Sequence, residues 1–338
     1  MHDQRKFEHL DICLHHDVRS GITSGLEHYR LVHCAAPEMA LADVDLTTRF
    51  FSHSMDAPIL ISAMTGGTEA AQQINKRLAQ AAQKFGLAMG IGSQRAVLED
   101  PSLLPTYQVR DVAPDILLFA NLGAVQLNYG YGPTECKRAV EYLGADALVL
   151  HLNPLQEALQ PNGNTNFRAL LDRIGEICAT LLVPVVVKEV GWGISETLAR
   201  SLIQVGVTGL DIAGAGGTSW SQVERYRCTT TVDAEVAAAF ANWGIPTAEA
   251  LIGVRHSLPA TPLIASGGLT NGIEMALALA LGADLAGIAL PLLAPAMRSL
   301  AELVEQIEVI IRQLRVALFC TCSRTPIDLR RDGVVCAR

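Results

Sequence analysis

The sequence predicts an α/β chain built as a (β/α)8 TIM barrel, with an N-terminal arm and a C-terminal amphipathic helix. Three observations carry that prediction. Eight short apolar runs, each closed by a turn or a polar break, recur between Ile59 and Ala289. Helical or mixed stretches lie between them. A chain of 338 residues, 50% of them hydrophobic, can bury a core of that size. Eight strand–helix alternations over roughly 240 residues match a barrel in count and length. A doubly wound sheet is the alternative, and eight uninterrupted units count against it.

Residues 1–56 show no clear period and read as a mobile, polar arm packing on the barrel, with turns at Ser20-Gly21, Ser24-Gly25 and Ala36-Pro37. The barrel is expected over 57–319. Its first strand is Ile59 to Ala63, ending in Met64-Thr65-Gly66-Gly67. Thr68 then caps a helix with Ile74, Leu78, Ala82 and Phe85 on one face. Further strands are Leu87 to Gly92, Asp115 to Ala120, Ala147 to His151, Val185 to Glu189, Leu210 to Ala213, Leu263 to Ala265 and Leu285 to Ala289. Leu300, Leu303, Val304, Ile307, Ile311, Leu314 and Leu318 then recur at helical spacing. Residues 320–338 read as an irregular tail.

Composition narrows the function. A net charge of −8 with 26 basic residues argues against a nucleic-acid partner. The N-terminus lacks an apolar signal core. The apolar run Met275 to Met297 is split by Gly282-Ala-Asp284 into a helix and a strand too short to span a bilayer, so no membrane partner is expected. The eight Cys show neither a disulfide framework nor a zinc spacing, and reduced thiols in a cytoplasmic protein are the expectation.

Chemistry concentrates at the fourth strand. Ala147-Leu-Val-Leu-His151-Leu-Asn153-Pro-Leu-Gln156-Glu157 places four polar groups at a strand's C-terminal end. His151 and Asn153 share a face, because side chains alternate along a strand. Barrel chemistry sits at that end. A core His, a turn-forming Asn and two solvated residues are the bland reading of each alone. Ser266-Gly267-Gly268 and Ala289-Leu290 end strands seven and eight, where backbone N–H groups make a phosphate cradle. Lys188 closes an apolar strand and needs an anionic partner or water. A lysine facing an electron-rich cofactor competes there with one reaching solvent. Thr65, Ser93 and Asn121 add neutral donors and acceptors, and Gly214 to Trp220 forms a Gly-rich loop. Gly90-Ile-Gly92 lacks the third glycine of a dinucleotide fingerprint.

Together these segments resemble the type 2, FMN-dependent isopentenyl-diphosphate isomerases. The matching segments are Arg5 to Leu10, Ser62 to Thr68, Gly92 to Arg95, Ala120 to Gly123, His151 to Glu157, Gln160 to Gly163, Val187 to Gly191, Gly214 to Trp220 and Ser266 to Gly268. The loop Gln160 to Asn166 departs from the family pattern, with Asn at positions usually charged. The resemblance implies interconversion of isopentenyl and dimethylallyl diphosphate in isoprenoid biosynthesis. It implies reduced FMN as the acid–base group, NAD(P)H as reductant and Mg²⁺. On the matching positions, Arg5, Lys6, Ser93, Gln94, Arg95 and Gln156 bind the prenyl diphosphate. His151, Asn153 and Gln156 surround the reacting carbons, and Glu157 helps hold Mg²⁺. Ala63, Met64, Thr65, Ser93, Asn121, Lys188, Thr218, Gly267, Gly268, Ala289 and Leu290 hold FMN. A homo-oligomer is expected.

Two other functions compete. An FMN-dependent oxidoreductase on the same barrel would carry a His–Arg pair near strand six or seven, as in 2-hydroxy-acid oxidases, or a nucleophilic Cys as in IMP dehydrogenase. Thr218-Ser-Trp220 stands at the first position, and Cys228 falls about a dozen residues late for the second. A non-catalytic flavin- or phosphate-binding protein is the other.

Overall fold

A computed structural model describes residues 2–338, with side chains at Lys6 and from Glu8 onward. Eight parallel strands close into a barrel. They are β1 (Ile59–Ile61), β2 (Ala88–Gly90), β3 (Leu118–Gly123), β4 (Ala147–His151), β5 (Val185–Lys188), β6 (Gly209–Asp211), β7 (Leu263–Ala265) and β8 (Leu285–Ile288). Each pairs with its neighbours in sequence, and β8 returns to β1 with Ala286 opposite Ile59.

The period of two sorts the strand residues into two cores. Ile59, Ile61, Leu148, Leu150, Val185 and Val187 face outward and pack under the helices. Leu60, Phe119, Val149, Val186, Ile264 and Leu285 fill the barrel. Thr68 caps the helix Glu69–Lys84, its hydroxyl accepting the Ala71 N–H at 3.1 Å. A hairpin of Thr48–Phe50 and His53–Met55 plugs the N-terminal end of the barrel, where Phe50 and Met55 join the interior residues. The open end is therefore the one where the strands finish.

The third strand is shifted from its expected range, running to Gly123. Asp115 is drawn off its start by the Gln83 amide, with one hydrogen bond in each direction at 3.1 Å. The run Met275 to Met297 resolves into the helices Gly272–Ala280 and Leu290–Arg298 around β8. No helix among the described residues is long and apolar enough to cross a membrane.

Both ends of the chain are more ordered than the sequence predicts. The arm begins with a helix, His2–His15, whose Leu10 and Ile12 are buried. Two buried residues among the described side chains of the helix are too few to display a period. The helix is held by docking on the helix Trp220–Arg227, through Ile12 against Val223 and through Glu8 to Arg227 at 3.1 Å. The tail forms a short 3-10 turn, Pro326–Arg330, and a strand, Val335–Ala337, antiparallel to Tyr29–Leu31. The expectation of reduced thiols is corrected for one pair: Cys34 and Cys322 form a disulfide between arm and tail. They lie 288 residues apart, so only the folded path brings them together.

Candidate active site at the barrel mouth

The inward rows of the strands end in polar groups. Ser62, Asn121, His151, Lys188, Asp211 and Ser266 continue the rows begun by the interior apolar residues. Strand pairing puts Gly123 opposite His151, His151 opposite Lys188, and Lys188 opposite Asp211. Above this floor lies a cavity of about 400 Å³. The N-terminal helix roofs it with Lys6, His9, Leu10 and Cys13. A more open groove beneath the helix Leu300–Phe319 holds no such convergence of buried polar groups. We therefore take the mouth as the site.

His151 is partly buried at the cavity floor, and its Nδ1 lies 2.8 Å from the Asn121 side-chain oxygen. Burial, then the Lys188 ammonium, pushes its pKa down to about 3. The ring is thus neutral at physiological pH. Lys188 Nζ donates to the Glu189 carbonyl at 2.5 Å and lies 3.9 Å from Asp211 Oδ2. Burial pushes the Asp211 carboxyl up, and Lys188, Ser266 and the Ala213 N–H pull it back. The Glu189 carboxylate points away into the β5 loop, accepting the N–H groups of Val190, Gly191 and Trp192 at 2.5–2.8 Å. Burial still raises its pKa to about 7.

The fourth-strand cluster assembles as a hydrogen-bonded unit. Asn153 Nδ2 donates to Gln156 Oε1 and to Glu157 Oε1, both at 3.1 Å. Glu157 Oε2 accepts from Gln160 Nε2 at 2.5 Å and from the Asn164 N–H at 2.6 Å. Gln156 Nε2 donates to Glu224 Oε1 at 3.1 Å. Glu224 also meets His9 Nε2 at 3.2 Å and pairs with Arg227. Burial opposes its charge, yet His9, Arg227 and Gln156 hold its carboxyl below the usual range. Glu224 thereby ties the floor of the site to its roof.

Most expected positions face the cavity. Ala63, Met64 and Thr65 line it after β1, Thr218 after β6, Gly267 and Gly268 after β7, and Ala289 with Leu290 after β8. Ser93 and Arg95 line it after β2, beside Asn121, Asn153, Gln156 and Glu157. Lys6 reaches in from the roof, its Nζ 3.3 Å from the Ser93 carbonyl and hydrogen-bonded to the Tyr107 hydroxyl. The Arg5 side chain lies outside the described residues. Gln94 departs from expectation. It is fully buried in the wall, its amide donating to the Ala139 carbonyl at 2.8 Å and accepting the Asn121 N–H at 3.0 Å. A side chain with both ends engaged by backbone braces β3, and Gln94 does not line the cavity.

Sequence reasoning missed Glu224, His9 and Asp211, and read Ser266 only as part of a glycine turn. Glu224 stands one turn beyond Trp220, on the same helix face, and that spacing was the available signal. His9 has no signal before the arm is docked. Asp211 and Ser266 end inward rows, as Lys188 does.

The floor suits a phosphorylated planar cofactor. Ser62 Oγ and Asn153 Oδ1 are buried without a hydrogen-bond partner, so each can receive a ligand's polar group. Gly287 has no side chain because a Cβ there would fall 2.7 Å from Ser62 Oγ. Gly267 has φ 101°, and a Cβ on it would lie 2.1 Å from the Gly214 carbonyl oxygen. The β6 and β7 loops therefore meet backbone to backbone, locked by Thr247 Oγ1 donating to the Gly267 carbonyl at 2.6 Å. Such a surface presents N–H groups to phosphate oxygens.

Known proteins agree with this geometry. A family model described as FMN-dependent dehydrogenase matches residues 155–336. In fold, the chain resembles a mandelate oxidase variant carrying a monooxide FMN adduct, with TM-score 0.68 and 16% identity over 95% of this chain and 93% of that one. It also resembles a Pediococcus acidilactici lactate oxidase, with TM-score 0.64 and 17% identity over 90% and 82%. The class is thus that of the FMN-dependent barrels. Within it, the chain is 56% identical to an isopentenyl-diphosphate delta-isomerase of Synechococcus sp. over 333 residues, 98% of this chain and 96% of the relative. It is 52% identical to one of Rickettsia felis over 331 residues, again 98% and 96%. The chain belongs to the isopentenyl-diphosphate delta-isomerase family.

Proposed function

We propose that this chain interconverts isopentenyl diphosphate and dimethylallyl diphosphate, with FMN on the barrel floor and substrate between the floor and the N-terminal helix. One observation carries the reading beyond family membership. In a chain of net charge −8, the described residues lining the cavity include Lys6, Arg19, Arg95 and Lys188 and one carboxylate, Glu157, with Asp17, Glu99 and Asp211 pairing Arg19, Arg95 and Lys188 from outside the lining. That gathering of cations at one mouth suits a ligand pair bearing a diphosphate and a phosphate.

The reaction adds a proton at C4 of the alkene and removes one from C2. Among the described residues the one carboxylate lining the cavity, Glu157, already accepts three hydrogen bonds, and His151 is neutral. Bound FMN, reduced beforehand by NAD(P)H, supplies the acid–base chemistry. Lys188, at the end of β5, sets a positive charge at the cofactor's edge. Ala63, Met64, Thr65, Ser93, Asn121 and Thr218 seat it, and Gly267, Gly268, Ala289 and Leu290 take its phosphate. Lys6 and Arg95, aided by Arg5, hold the substrate diphosphate. Glu157 would offer a carboxylate oxygen to Mg²⁺, a hard cation suited to carboxylate and diphosphate oxygens. His151, Asn153 and Gln156 border the reacting carbons. A neutral imidazole there leaves a developing carbocation unopposed by a second positive charge. The roof residues Leu10 and Cys13 keep water from the reacting carbons.

The test is to incubate the anaerobically reduced protein with Mg²⁺ and isopentenyl diphosphate in D₂O. Deuterated dimethylallyl diphosphate is the expected product. Absence of both exchange and product overturns the reading, and stoichiometric oxidation of a 2-hydroxy acid in its place makes the chain an oxidoreductase.

A further inference from the structure

We propose that Asp211 is a positioning residue for the cofactor's lysine, fixing the Lys188 ammonium at the barrel floor through a bracket that spans β5, β6 and β7. The inference rests on the reading above that Lys188 faces FMN.

Lys188 has four rotatable side-chain bonds and ends in a compact charge that can point in many directions. Two groups hold it in this structure. The Glu189 carbonyl accepts from Nζ at 2.5 Å, and Asp211 Oδ2 stands 3.9 Å away on the neighbouring strand, at the paired position. Asp211 is itself immobilised. Its Oδ1 accepts the Ser266 hydroxyl at 2.6 Å and the Ala213 N–H at 3.2 Å. With Oδ1 committed, Oδ2 is left facing the ammonium. Asp211 is 2% exposed and does not line the cavity, so it touches neither substrate nor cofactor.

The neighbouring carboxylate cannot replace it. Glu189 is engaged by three backbone N–H groups on the β5 loop. A buried carboxylate opposite a buried ammonium is costly to desolvate, and such pairs are retained where they specify an arrangement. Here the arrangement is the direction of the one ammonium at the cavity floor. Loss of Asp211 leaves that cation buried without its anion, free to turn from the cofactor. A reduced, more electron-rich flavin then loses more binding energy than an oxidised one.

The experiment compares wild type with Asp211→Asn, Ser266→Ala and Lys188→Ala. It reads FMN affinity in both oxidation states, kcat, KM and thermal unfolding. Asp211→Asn is expected to weaken reduced FMN about tenfold relative to oxidised FMN, a fall of about 30 mV in midpoint potential for a two-electron couple. kcat falls while KM for isopentenyl diphosphate holds. Ser266→Ala gives a smaller change of the same sign, and it carries the test if Asp211→Asn does not fold. If Lys188→Ala lowers the affinity ratio while neither other variant does, Asp211 has no positioning role. A raised ratio in Asp211→Asn overturns the proposal equally, because the carboxylate then acts only through its negative charge. If Lys188→Ala leaves the ratio unchanged, the placement of Lys188 on FMN fails, and this inference fails with it.

Discussion

The two halves of the barrel share one device at the bottom and differ at the top. Below β3 and β4, Arg110 donates Nε to the Gly144 carbonyl and Nη1 to the carbonyls of Ala113, Pro114 and Ile116. Its Nη2 meets Asp146 Oδ2 at 2.6 Å, and that oxygen also takes the Leu118 N–H. Below β7 and β8, Arg255 makes the same set with Gly282, Leu258, Pro259, Thr261 and Asp284, and Asp284 takes the Leu263 N–H. Each half thus folds a loop around one arginine and ties it to the Gly-Ala-Asp turn before the next strand. Above, the likeness ends. β3 and β4 finish in Asn121 and His151, whereas β7 and β8 finish in Ser266-Gly267-Gly268 and Ala289. Repetition marks the end of the barrel that holds it together, and divergence marks the end where chemistry sits. The clamps also differ in the second side chain at the aspartate: His53 beside Asp146 and Arg330 beside Asp284.

The strongest way to break the comparison is Arg255→Ala. It strands four backbone carbonyls and leaves the half-buried Asp284 to Arg330 alone, and is expected to cost about 2–4 kcal/mol. Denaturant unfolding measures the loss, and FMN affinity of the fraction that stays folded should hold. A loss below about 1 kcal/mol removes the clamp from the stability account. At the top the opposite pattern is expected. Glu157→Gln should reduce Mg²⁺-dependent turnover about 10–100-fold while FMN stays bound. Unchanged Mg²⁺ dependence takes Glu157 out of that role.

His151 gives a top residue with a stability signature. Its folded pKa, about 3, lies below its ordinary 6.5, so the unfolded chain binds the extra proton first as pH falls. Stability contributed by the neutral ring is present above pH 6.5 and is lost as pH drops towards 3, by at most about 1.4 kcal/mol per pH unit. Replacing His151 with Asn should flatten that acid slope, and an imidazole titrating near 6.5 by NMR contradicts the burial argument. The smallest effect belongs to the exposed side of a clamp. His53→Gln should cost under about 1 kcal/mol, since a partly exposed pair contributes little. A larger cost makes His53 and Arg330 equivalent partners in their clamps.

Much of this was legible in order along the chain. The eight apolar runs, the Thr68 cap and the closing helix report local physics: alternation, a capping hydroxyl, a 3.6-residue period. His151, Asn153, Gln156 and Glu157 were legible because they sit within one strand and turn. Gly144-Ala-Asp146 and Gly282-Ala-Asp284 were visible as turns, but their shared arginines stand 36 and 29 residues earlier in sequence. Gln94 misled because sequence proximity to Ser93 and Arg95 says nothing of which way a side chain turns.

The sequence by itself determined the barrel, its open face and the cluster on the fourth strand, since each follows from the spacing of apolar and polar residues over a few turns. Only the tertiary structure decided the rest. It docked the arm's helix over the mouth, joined His9 and Gln156 through Glu224, bridged Cys34 to Cys322, and set Asp211 against Lys188. Each of these is a contact between segments distant in the chain or on adjacent strands. Its existence depends on how the strands close and twist, and no local period encodes that.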